Sequence, residues 1–129
     1  RCNFKAVYVV DTATLKKLTL QKIFVTEESS EYESSLEADG MRYLHYVEEL
    51  GKAKGVPIQV ELRKGAIWSE VITAANEMKS NVILLGGSVN DDPYQKDVIA
   101  TSYGEILLHA NCSVLLVREK LIEQLYKLA

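Results

Sequence analysis

The chain has 129 residues, 47% of them hydrophobic and 26% charged, which suits a single domain able to bury a sizeable core. A net charge of -3 gives no basic footprint for nucleic acid, and no apolar run approaches the roughly 18 residues that a membrane span needs. Cys2 and Cys112 form neither a metal-binding nor a redox spacing, the start of the chain lacks the layout of a signal peptide, and a reduced, cytoplasmic protein is the plain expectation.

Residues 4–10 read as a strand, rich in β-branched and aromatic side chains and followed by Asp11-Thr12. A loop is expected next, carrying Leu15, Leu18, Leu20 and the short apolar run Ile23-Phe24-Val25. Ser30 with Glu33 forms a capping-box signature for a helix start. Leu36, Gly40, Tyr43, Leu44, Val47 and Leu50 then recur at helical spacing, with Glu48 and Lys52 as an i,i+4 pair. Gly55 is placed to cap this helix and Pro57 to prevent its continuation.

Residues 58–62 alternate apolar and polar, as a strand at or near a sheet edge does, and Gly65 ends it. A helix over 68–79 follows, with Ile67, Val71, Ile72, Ala75 and Met78 facing the core. Two short apolar runs come next, Val82-Ile83-Leu84-Leu85 and Val114-Leu115-Leu116-Val117. They carry no polar alternation, so they read as strands buried on both faces of a parallel sheet. Gly86-Gly87-Ser88 closes the first run, and a polar loop over 88–96 leads to a short helical pattern around Ile106, Leu107 and Ala110. Ser102 with Glu105 is a second capping box. A short amphipathic helix over 120–128 ends the chain. Alternating strands and helices imply an α/β fold, an open parallel sheet with helices on both faces.

The ending His109-Ala110-Asn111-Cys112-Ser113-Val114-Leu115-Leu116-Val117-Arg118 resembles that of the universal stress protein family. That family has a phosphate loop of the form G-x2-G-x9-G-[ST] before the last helix, and a Rossmann-like, nucleotide-binding architecture. Laid on this chain, its spacing falls on Gly87, Asn90, Ala100 and Thr101, so only the first glycine and the final hydroxyl remain. Starting from Gly86 puts Val89 at the second glycine and leaves the later spacing one residue too long. The candidate loop is therefore a degenerate one, made of Gly86, Gly87, Asn90, Ala100, Thr101 and Ser102. Asn tolerates the left-handed backbone that a glycine would supply. Three carboxylates, Asp91, Asp92 and Asp97, oppose a polyanion there, and a Mg2+ ion accompanying ATP would offset part of that repulsion.

The resemblance implies a sheet ordered 3-2-1-4-5. The strand over 4–11 then matches the family's second strand, so the chain reads as one domain over 1–129 lacking the first strand and helix, with 119–129 as an extra C-terminal helix. A competing register makes Val9-Val10-Asp11 the first strand, whose terminal Asp contacts adenine in the family. Either way the resemblance implies a homodimer through the last strand, with Val114, Leu115, Leu116 and Val117 at its centre, and no nucleic-acid or membrane partner. No catalytic constellation is visible: His109 has no nucleophile beside it, and His45, between Tyr43 and Tyr46, reads as a surface or interface residue. The expected work is that of a cytoplasmic stress or regulatory module with weak or no ATP binding. The alternatives are an ATP-binding member with slow hydrolysis, or a regulatory domain of a larger transporter or kinase.

Overall fold

The computed structural model describes residues 2–21, 26–87, 93–118 and 126–128. Its elements in chain order are β1 (Phe4–Asp11), α1 (Thr12–Leu20), α2 (Thr26–Ala53), β2 (Ile58–Gly65), α3 (Ile67–Met78), β3 (Val82–Gly87), α4 (Pro93–His109) and β4 (Ser113–Arg118). The fold is α/β with parallel strands. The chain divides into two compact units, residues 1–70 and 71–129. β1 pairs with β2 in a parallel two-stranded sheet in the first unit, and β3 pairs with β4 in a parallel two-stranded sheet in the second.

In the first unit, Ala6, Tyr8 and Val10 of β1 share a face with Val60, Leu62 and Lys64 of β2. α2 packs on this face, and α1 packs on α2. Gly40 lets the helix come close: a Cβ there would lie 2.5 Å from the Tyr8 ring and 2.8 Å from Leu62. Among the described residues, Val10, Leu15 and Leu44 are the buried apolar side chains of this unit. At its end α2 forms a Schellman motif, with Val56 N–H bonded to the Gly51 carbonyl at 2.8 Å and Gly55 N–H to that of Lys52 at 3.1 Å. Gly55 adopts φ +70° in this turn, the conformation a side chain would disfavour.

Three expectations change in this unit. The segment after Asp11 is helix α1 rather than a loop, because Asp11 caps it: its carboxylate accepts from Thr14 N–H at 3.0 Å and from the Thr14 hydroxyl at 2.6 Å. α2 begins at Thr26, with Glu27 and Glu28 in its first turn where the helix dipole favours them, so the Ser30 and Glu33 capping pattern falls inside the helix. Lys64 reaches Glu33 and Glu37 at 3.4 and 3.1 Å, and Glu37 foremost, with Glu33, raises the Lys64 pKa. Lys52 pairs with Glu49 at 3.4 Å and not with Glu48. The apolar run Ile23-Phe24-Val25 includes no described residue.

In the second unit, Ile83, Leu85, Ala74 and Ile106 are buried. Val82 and Leu84 of β3 and Leu115 of β4 share the other face and are about half exposed. Leu116, beside the buried Leu85 on the same face, is 58% exposed. α4 is much longer than the pattern around Ile106 implied. Pro93 opens it, at the position where a missing N–H costs nothing and a fixed φ suits the helix. Leu107 and Leu108 point to solvent, and Ala110 follows the helix end. Of the expected helix over 120–128, 120–125 lie outside the described residues.

Candidate functional site

Gly86 and Gly87 end β3, at the carboxyl edge where open α/β sheets place their ligands, and pair there with Val117 and Arg118. A Cβ at Gly86 would meet nothing within 4 Å, so this glycine is not required by packing. Asn90, with Asp91 and Asp92, lies outside the described residues. Ala100, Thr101 and Ser102 lie inside α4, well beyond the first four residues whose N–H groups lack an intrahelical partner. Ser102 is buried and Thr101 exposed, and neither caps a helix start, contrary to the second capping box. Asp97 likewise belongs to α4 rather than to the loop.

Tyr103 joins the two parts of this edge. Its hydroxyl donates to the Gly86 carbonyl, linking α4 to the end of β3. Burial raises the phenol pKa. Sequence reasoning did not single out Tyr103; its one visible signal was an aromatic residue one turn before the buried Ile106.

The other candidates separate. The Asp11 carboxylate is occupied as a helix cap, so the register that brings it to a nucleotide base leaves it already engaged. His109 forms an exposed i,i+4 pair with Glu105 at 3.2 Å, a surface role. Cys2 and Cys112 are free thiols. Tyr43 stacks on Tyr8 with ring centroids 6.0 Å apart, and Tyr43 and Tyr46 are each 62% exposed. Burial chiefly, then Asp39, Tyr43 and Tyr32, raises the Tyr8 pKa. In β4, Val114 and Val117 are half-buried while Leu115 and Leu116 are exposed, so apolar surface lies along the strand proposed for dimerisation.

A charge network that sequence reasoning missed occupies the opposite face of β1 and β2. Glu61 accepts from Lys5 at 2.6 Å and from Arg63 at 2.5 Å, while Arg63 Nε donates to Glu70 at 2.9 Å. Hydrogen bonds from Lys5 and then Arg63 lower the Glu61 pKa. Alternation along β2 places Glu61 and Arg63 on one face, but only the fold brings Glu70 of α3 to them. Among the described residues, no helix is long and apolar enough to cross a membrane.

Solved structures similar to this one include two hypothetical proteins. The hypothetical protein MJ0577, the subject of a structure-based assignment of biochemical function, is 15% identical, with 91% of this chain and 76% of that chain covered at a TM-score of 0.66. The hypothetical protein PH0823 is 18% identical, with 89% and 74% covered at a TM-score of 0.58. At these identities the likeness establishes the fold alone. No curated protein matches the sequence significantly. The model of the universal stress protein family matches residues 2–118, nearly the whole chain, in agreement with the ending at His109 to Arg118, and the chain belongs to that family.

Proposed function

We propose that the chain acts as a dimeric universal stress protein module with weak or no ATP binding, working through its partners rather than through catalysis. The observation that supports this most is the position of Ala100, Thr101 and Ser102. A phosphate site needs unpaired backbone N–H groups at a helix start. Here those three residues belong to the middle of α4, and the helix opens on Pro93, which has no N–H to offer. Leu115 and Leu116, exposed along a strand with one paired side, favour association through β4. We place the protein in the cytoplasm, which keeps thiols such as Cys2 and Cys112 reduced.

Calorimetric titration with ATP and Mg2+, joined to sedimentation at tens of micromolar protein, tests both parts. The expected result is a dimer that gives no saturable heat at millimolar ATP. A monomer would remove the dimer, and tight ATP binding would remove the degenerate reading. The open space around Gly86 favours a second reading, in which ATP with Mg2+ binds this edge. That reading requires saturable binding that Gly87→Val abolishes.

A further inference from the structure

We propose that α2 carries a surface site for a divalent transition-metal ion of the zinc type, formed by the imidazole of His45 and the carboxylates of Glu48 and Glu49. The three residues stand at i, i+3 and i+4, a spacing that brings side chains together on one strip of a helix. One ligand atom from each lies within 4.8 Å of the others. A tetrahedral zinc shell with bonds of roughly 2.0–2.1 Å asks for ligand atoms about 3.4 Å apart, a gap that small side-chain rotations close. His45 and Glu49 are exposed and Glu48 is half-buried, so an ion reaches them from solvent without movement of the backbone.

Charge favours the same conclusion. Glu48 and Glu49 hold two like charges close together, and Lys52 turns to Glu49 alone. Among the described residues, His45 and Glu48 have no hydrogen-bonding or ionic partner. A dication bound by two carboxylates and a neutral imidazole relieves the repulsion and uses both unpartnered groups. The nitrogen ligand decides the metal class, because imidazole suits zinc whereas magnesium and calcium take oxygen ligands. Three protein ligands leave one tetrahedral position for water. This site lies on the first unit and involves none of the residues at the carboxyl edge of β3.

The test is a titration of the whole chain with zinc chloride, followed by heat and by the imidazole 1H–15N signals of both histidines. The expected outcome is one saturable site that shifts the His45 signals. His45→Ala and Glu48→Gln should each weaken it at least tenfold, while helix content by circular dichroism stays unchanged. Magnesium at the same concentrations should leave the His45 signals in place. Zinc binding that persists in His45→Ala, with the ion instead at His109 or at a cysteine thiol, would overturn the proposal. So would equal displacement of the zinc by magnesium.

Discussion

The hydroxyl of Tyr103 donates to the carbonyl of Gly86, so a side chain of α4 holds the glycine that ends β3. Removing the hydroxyl in Tyr103→Phe leaves that carbonyl without its donor, and a net loss of about 1 kcal/mol is expected in denaturant unfolding. The pH dependence has a definite sign. Burial raises the phenol pKa above its usual 10.0, so the folded protein holds the proton more tightly than the unfolded chain does. The stabilisation is complete below pH 10 and falls away as the pH rises through the raised value. Unfolding curves between pH 9 and 12 should therefore converge for wild type and Tyr103→Phe; a constant gap would refute the role of the hydroxyl.

Gly40 marks where α2 lies closest to β1. A methyl group there would sit 2.5 Å and 2.7 Å from two ring carbons of Tyr8 and 2.8 Å from the Leu62 side chain. Alanine raises helix propensity on its own. Overpacking against a ring that also stacks on Tyr43 outweighs that gain, and Gly40→Ala should destabilise by about 1–3 kcal/mol. Thermal unfolding measures it, and the double variant Gly40→Ala with Tyr8→Ala should recover part of the loss. If Gly40→Ala were stabilising, the close approach of helix and strand would be wrong.

How legible the fold was depends on which interactions carry each element. The strands announce themselves because apolar runs and the alternation along β2 admit few other structures, and each strand pairs in parallel with another, β1 with β2 and β3 with β4. α1 was hidden because Thr12, Thr14 and Thr19 are weak helix formers, and its stability depends on the Asp11 cap and on Leu15 being buried. At α2, a capping pattern occurred by chance within a helix that the acidic first turn had already started. The candidate site was legible only as a spacing of glycines and hydroxyls. Spacing says nothing about where a helix begins, and Pro93 started α4 two turns before Thr101.

Lys79 ends α3 with φ 55°, the one described residue other than glycine in the left-handed region. It occupies the position that glycine favours in a Schellman motif, with Ser80 N–H bonded to the Ala75 carbonyl at 2.9 Å and Lys79 N–H to that of Asn76 at 3.1 Å. A side chain in this conformation costs about 1–2 kcal/mol, and the greater flexibility of unfolded glycine takes back part of any gain. Lys79→Gly should therefore stabilise by about 0.5–1 kcal/mol, whereas Lys79→Val should destabilise. Chemical denaturation distinguishes the two, and equal effects from both would show that the turn imposes no strain.

Glu61 links the two basic residues beside it, and the consequence appears in acid. Lys5 and Arg63 lower its pKa below the ordinary 4.5, so the unfolded chain binds a proton before the folded one does. The contribution is fully present above about pH 5 and is lost as the pH falls through the lowered value. Because the Glu61 side chain is 29% exposed, solvent screens the network, and Glu61→Gln should cost about 0.5–1 kcal/mol at pH 7. Once the pH is low enough to protonate Glu61 in the folded protein, the variant and the wild type should unfold together. Salt separates this from packing: 1 M sodium chloride should shrink the difference at pH 7, since a Debye length of about 3 Å screens partly exposed charges. A difference that did not shrink as the pH fell or in high salt would mean that Glu61 acts through its shape rather than its charge.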